Sequence, residues 1–254
     1  MSRIISNSYT KYYIKVILKS YEIEKKIPNL LKHNLILLYG ENIGLKKDIR
    51  DKIKVEITKK DSTTEFLSLY ENEILDDKET FYNSIYSGSL FSNKKIITIN
   101  NGTDKLLNYI EDVYLKFPEN IILIIFSQIL EKKSNLRNFF EKNPTALCIP
   151  CYLDSSRDLE TILINELRKS NITTSRESIN LLIEKSNNDR DNLKNEIEKI
   201  KAYSLNKKNL EINEVKSIIN FSGEYKSDIL INECLNGNII QYKKIISELY
   251  INTS

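Results

Sequence analysis

The sequence predicts an α/β protein in which a parallel five-stranded sheet with helices on both faces is followed by an all-helical region. Up to Cys151, short apolar runs alternate with stretches whose apolar residues recur every three or four positions, the pattern of strands joined by crossover helices. Some runs, such as Ile121-Ile122-Leu123-Ile124-Ile125-Phe126, contain no polar residue at all, as strands covered on both faces require. Beyond Cys151 the strand-type runs stop and helical stripes succeed one another.

The elements follow in order. Residues 13–18 read as a strand and 27–31 as a short turn of helix. Asn34-Leu35-Ile36-Leu37-Leu38-Tyr39, ended by Gly40, is the first buried strand. After the turn Gly40-Glu41-Asn42-Ile43-Gly44, the spacing of Leu45, Ile49, Ile53 and Ile57 puts one apolar stripe on a helix. Residues 63–70, with Phe66, Leu67 and Leu69, make a second strand. Residues 78–87 make a helix with Phe81, Ile85 and Tyr86 on one side. The third strand is 95–99. Leu106, Leu107, Ile110, Val113, Tyr114 and Phe117 mark an amphipathic helix stopped by Pro118, and 121–126 the fourth strand. Leu136, Phe139 and Phe140 mark a helix, and 146–149 the fifth strand.

In the helical region, Ser155 with Asp158 and Thr174 with Glu177 have capping-box spacing. The helices expected there end near 169 and span 175–184. A third is capped by Asp189 and carries Leu193, Ile197 and Ile200 inward, and 211–219 make a fourth. Phe221-Ser222-Gly223 reads as a hinge. Residues 229–235 and 239–250 read as a further helix pair. The expected domains are 1–151, 152–222 and an incomplete third, 223–254.

Composition excludes several functions. Hydrophobic residues make up 41% and charged residues 29% of the 254 positions, which points to a globular chain. No apolar stretch is long enough to cross a bilayer, and the start lacks the apolar core of a signal peptide, so cytoplasm and no membrane are expected. A net charge of +3 leaves no strong nucleic-acid footprint. Lys185, Lys194, Lys199 and Lys201 interleave with Glu184, Glu196 and Glu198, as on solvated helix faces. With three Cys and one His, no metal is expected. Cys148-Ile149-Pro150-Cys151 has redox spacing, but Cys148 sits inside an apolar strand run rather than at a helix N-terminus. His33 reads as structural.

The turn after the first strand decides the nucleotide question. A triphosphate needs inward backbone N–H groups on a Gly-rich curve, a Lys, and a Ser or Thr for magnesium. In Gly40-Glu41-Asn42-Ile43-Gly44-Leu45-Lys46-Lys47 the glycines stand one residue too close, and no Gly-Lys-Ser/Thr triplet follows. The fourth strand ends Phe126-Ser127-Gln128, without the carboxylate that would hold the metal. No cofactor and no catalytic residue is expected, and Lys46 and Lys47 read as solvated helix positions.

What remains is Tyr86-Ser87-Gly88-Ser89-Leu90-Phe91-Ser92-Asn93-Lys94-Lys95. Leu90 and Phe91 stand among residues that mark an exposed turn. Two readings are open: the pair packs under the sheet and ends the preceding helix, or it projects as an anchor for a partner.

A nucleotide-binding fold followed by a helical lid is the layout of the AAA+ ATPases. Within it, three stretches carry a closer resemblance: Asn34-Leu35-Ile36-Leu37-Leu38-Tyr39-Gly40-Glu41-Asn42 with its degenerate phosphate loop, Gly88-Ser89-Leu90-Phe91-Ser92-Asn93-Lys94-Lys95-Ile96-Ile97, and Pro118-Glu119-Asn120-Ile121-Ile122-Leu123-Ile124-Ile125-Phe126. In order and spacing they resemble the delta subunit of the bacterial DNA polymerase III clamp loader. The resemblance implies an AAA+-like domain that does not hydrolyse ATP, a helical lid, and a helical collar, mostly missing here, that joins other loader subunits. It implies a non-catalytic subunit that binds the sliding clamp and holds its ring open for loading onto primed DNA. The holoenzyme it serves is a DNA-directed DNA polymerase, a nucleotidyltransferase. By the same resemblance, Leu90 and Phe91, flanked by Ser89 and Ser92, enter the clamp's surface pocket, while DNA is met weakly and indirectly. The first dozen residues look like an extension. A nucleotide-dependent motor ATPase and a general DNA-binding protein are the rival readings.

Overall fold

The computed structural model describes residues 23–88, 92–220, 224–243 and 246. The chain divides into two compact units, Met1–Asp158 and Leu159–Ser254. The strand expected over 13–18 and the hinge at Phe221-Ser222-Gly223 lie outside the described residues.

In the first unit, β1 (Leu35–Tyr39), β2 (Glu65–Tyr70), β3 (Lys95–Asn100), β4 (Ile121–Ser127) and β5 (Ala146–Pro150) form one parallel sheet in the order β2-β3-β4-β1-β5. Parallel neighbours need crossovers that cover both faces, and here the helices do so. Against one face lie α3 (Glu71–Asp76), α4 (Lys78–Tyr86), α5 (Leu107–Tyr114) and α6 (Asn135–Lys142), where Ile74, Phe81, Ile110 and Phe140 meet Leu35, Leu37 and Tyr39 of β1. Against the other lie α1 (Ile23–Leu30) and α2 (Ile43–Thr58), whose Leu45, Ile49, Ile53 and Ile57 meet Ile36 and Leu38. Alternate side chains of one strand thus enter two cores, which is why β1 and the run 121–126 of β4 are apolar throughout.

The edge strand β2 is less apolar because its outer face is half in water. There Phe66 is exposed and the Lys54 ammonium lies 4.9 Å from its ring centre. Two details depart from the sequence expectation. Tyr86 does not share the buried side of Phe81 and Ile85: it is 53% exposed in the last turn of its helix. The short helix α3 arises where Tyr70 N–H donates to the Glu73 carboxylate, closing a local turn directly after β2.

The second unit is helical. It comprises most of α7 (Ser156–Lys169), then α8 (Arg176–Lys185), α9 (Arg190–Tyr203), α10 (Ile212–Asn220) and α11 (Glu224–Leu235), with a two-residue parallel pair, β6 (Thr173–Thr174) and β7 (Asn209–Leu210). Of the helix expected over 239–250, residues 239–243 are helical. Leu163, Leu182, Leu193, Ile197, Ile200 and Val215 form its core. At the start of α7, Ser155 and Asp158 cap reciprocally, side chain to backbone N–H in both directions. Thr174, by contrast, is not the cap of α8. Its hydroxyl donates to Leu210 O in the β6–β7 pair, and Ser175 accepts from Ser178 N–H instead.

Glu166 on α7 accepts from Lys201 of α9 at 2.8 Å and from Lys169 at 2.9 Å. Partial burial pushes its carboxyl up, but these ammonium groups outweigh burial and hold it below the ordinary value. A depressed carboxyl stabilises the fold above the ordinary value, and that contribution is lost as pH falls through the depressed one. Lys201→Met should therefore cost about 0.5–1 kcal/mol near neutral pH and nothing in strong acid. Urea denaturation of both proteins at the two pH values checks this. An equal cost at both would show that the pair is not the cause.

Candidate functional site

Two places in the first unit bear on function: the turn after β1, where a nucleotide would sit in this layout, and the connection from α4 to β3.

The turn after β1 is closed from three sides. Gly40 has φ +129, and its N–H donates to Gln128 O at 3.1 Å and to Ser127 O at 3.3 Å. Asn42 N–H donates to Cys151 O at 3.0 Å, and Cys151 N–H to Tyr39 O at 2.6 Å. The Asn42 side chain caps α2 by accepting from Leu45 N–H at 2.8 Å, and its amide donates to Tyr152 O and to the Asp154 carboxylate. These contacts use donors that a phosphate would require.

Lys46 fills the middle. It is 2% exposed, and its ammonium donates to Gly40 O and to Ser127 O, each at 2.9 Å. Burial pushes its pKa below the ordinary lysine value, with the nearby Cys151 thiol acting in the opposite sense. The expectation that Lys46 is solvated is thereby corrected; Lys47 is exposed as expected. The physical reason is its place in the first turn of α2. Side chains there lean back toward the helix N-terminus, and the stem of Lys46 carries its charge over the strand ends rather than outward. The same position in a working phosphate loop would direct an ammonium at the ligand. Here it is spent on two backbone carbonyls. With no carboxylate at the end of β4, the residues present do not fit a magnesium triphosphate.

The cysteine pair is settled by the pleat. Cys148 on β5 joins the core under α6, and Cys151, the residue after β5, joins the core under α1 and α2, because the extended chain turns residues three apart to opposite sides. Both are buried, and neither is in a disulfide. His33 bonds to Thr145 O at 3.2 Å, a link between two loops. Among the described residues, no group of three or more His, Cys, Asp or Glu stands close enough to share a metal ion. No described helix is long and apolar enough to cross a membrane. On α9, Lys199 pairs with Glu196 and Lys201 with Glu166 and Glu198, so these cations are matched by acids.

In the connection from α4 to β3, Ser89, Leu90 and Phe91 lie outside the described residues. Their flanks are described. Ser87, Gly88, Asn93 and Lys94 are exposed, and a Cβ added at Gly88 would meet nothing within 4 Å. Ser92 is half-buried and lines a pocket of about 140 Å³ together with Ile85, Gly88, Lys95, Pro118 and Ile121. Lys95, the first residue of β3, is buried, and its ammonium donates to Ser84 O and Ser87 O at the end of α4. Sequence reading passed over it. The signal was a lysine directly before the strand run Ile96-Ile97-Thr98-Ile99, a position that obliges a buried charge to find internal partners.

No family model matches the chain. It is 24% identical over 194 residues to the probable DNA polymerase III subunit delta of Rickettsia prowazekii, an alignment covering 74% of this chain. The chain spans about 56% of the length of that relative. In fold it is similar to the Bacillus subtilis DNA clamp loader delta protein, with a TM-score of 0.61 and 15% identity over 92% of this chain and 72% of the other. It is also similar to the Thermotoga maritima RuvB Holliday junction branch migration motor, with a TM-score of 0.53 and 12% identity over 84% and 75%. The fold is the AAA+-like α/β arrangement with a helical C-terminal region. In sequence and in fold alike, this chain resembles the delta subunit of the bacterial DNA polymerase III clamp loader.

Proposed function

We propose that the chain is a clamp-loader subunit of the delta type in DNA replication. It binds the ring-shaped sliding clamp through Leu90 and Phe91, with Ser89 and Ser92 flanking, and holds one interface of the ring open without hydrolysing ATP. The observation that carries this reading is the agreement of the sequence relative and the solved delta protein on one subunit. The turn filled by Lys46 supports a subunit that works without its own nucleotide. The exposed flanks of the 89–91 segment support an anchor rather than a core role for the apolar pair. To hold a ring open, the subunit must bind the open form more tightly than the closed one; equal affinity for both would shift nothing.

On this reading residues 1–151 are the clamp-binding domain, 152–222 a lid, and 223–254 the opening of a collar that meets other loader subunits. The exposure of Ile231, Leu235, Ile239 and Ile240 is in keeping with assembly there. Primed DNA is met indirectly, and the protein works in the cytoplasm.

The test is capture of the sliding clamp by the purified chain with no nucleotide present, alongside titration with a fluorescent ATP analogue. The expected result is a clamp complex by gel filtration and no saturable nucleotide binding into the millimolar range. Tight ATP binding with turnover would replace this reading by that of a motor ATPase.

A further inference from the structure

Lys95 is 5% exposed at the start of β3. Its ammonium donates to Ser84 O at 2.9 Å and Ser87 O at 3.0 Å. It stands 3.8 Å from the carboxylate of Glu65, the residue facing it across the β2–β3 ladder. The last carbonyls of a helix have no intrahelical partner and carry the negative end of its dipole. The ammonium satisfies two of them. The rest of this terminus is tied locally: Ser87 N–H and hydroxyl both donate to Asn83 O, and the Ser84 hydroxyl donates to Phe81 O.

The geometric consequence concerns residues 88–94, which leave α4 at Ser87 and rejoin the sheet at Lys95. One foot of this connection is the backbone of Lys95 itself, and the other is held by its ammonium. The Lys95 side chain therefore reaches from one foot to the other. At the sheet foot, Asn120 Nδ2 donates to Asn93 O and Glu65 N–H donates to Lys94 O, contacts that hold this foot to the sheet rather than to α4.

We propose that Lys95 is a positioning residue, whose clasp on the end of α4 presets the departure of the connection that carries Leu90 and Phe91. The proposal rests on the clamp-binding reading above and adds the residue that prepares the free protein for it. Such preparation acts on populations. When only a fraction of molecules has its feet set, apparent affinity falls by that fraction. The loss appears in association, because the finished complex makes unchanged contacts. A residue that touches the clamp acts mainly on dissociation.

The experiment compares the full chain with Lys95→Met, Lys95→Arg and Leu90→Ser, by surface plasmon resonance on immobilised sliding clamp and by hydrogen exchange at the Ser87 amide, which donates to Asn83 O. Methionine keeps the apolar stem and removes the ammonium; arginine restores donors. Lys95→Met should exchange about tenfold faster at this amide and associate about tenfold more slowly, with dissociation within about twofold. Lys95→Arg should recover most of both. If Lys95→Met does not fold, Lys95→Gln, whose donor is too short to reach Ser87 O, takes its place with the same expected losses. A folded variant with unchanged exchange, or with a loss confined to dissociation, overturns the proposal. If Leu90→Ser leaves clamp binding intact, the clamp reading fails, and the exchange measurement alone then decides the clasp.

Discussion

Phe91→Ala is expected to weaken binding to the sliding clamp by about 2–4 kcal/mol, which is roughly 30- to 1,000-fold in Kd. Anchors of this size arise where an aromatic ring leaves water for a partner's pocket, and the truncation loses both the burial and the fit. Leu90→Ser should act in the same direction by adding a hydroxyl that the pocket must desolvate. The loss should sit in dissociation, the opposite signature to that of Lys95→Met. Because the flanking Ser87, Gly88, Asn93 and Lys94 are exposed, thermal melting should stay where it is. Surface plasmon resonance with a melting curve on the same samples checks both halves. Unchanged affinity sinks the anchor assignment, and a collapsed melting point would place the pair in the core.

Gly40→Ala should be among the most destabilising single substitutions in the first unit, at about 3 kcal/mol or more. Its φ of +129 is a conformation that side chains rarely adopt, and a Cβ there would stand 2.3 Å from Cys151 O and 2.8 Å from its carbonyl carbon. Both atoms are backbone. They cannot withdraw without breaking the Cys151 N–H to Tyr39 O bond and the Asn42 N–H to Cys151 O bond that join β1 to β5. For a chain of this size the melting transition should fall by roughly 6–12 °C. Calorimetry reads it directly, and an unshifted transition would mean that the turn is not packed against Cys151 in solution.

The glycine also shows what kind of information each level holds. That a glycine ends the first strand is visible in the sequence, and it serves a phosphate loop and a closed turn equally well. Only the approach of Cys151, 111 positions away along the chain, distinguishes the two. Thr174 makes a similar point. Its spacing to Glu177 fits a capping box, but an acceptor at Leu210 lies in reach once β6 meets β7, and the hydroxyl goes there. Where a cap had no such rival, as at Ser155 and at Asp189, the local pattern held. Periodicity puts Tyr86 with Phe81 and Ile85, but in the last turn of the helix its side chain is exposed.

What the sequence by itself determined was local or periodic. It contained the five strands, the stripes of the crossover helices, the change to an all-helical region after Cys151, and the lack of a Gly-Lys-Ser/Thr triplet. Each follows from hydrophobic spacing or short-range chemistry, which a linear string displays in full. The tertiary structure decided where the buried charges go. Lys46 looks like any solvated lysine until parallel pairing brings Ser127 O, 81 positions away, beside it, and the acceptors of Lys95 are fixed only when the end of α4 comes beside it. A buried ammonium must take whatever acceptors the fold supplies, and those acceptors are backbone carbonyls, which every residue carries and which no sequence pattern can single out.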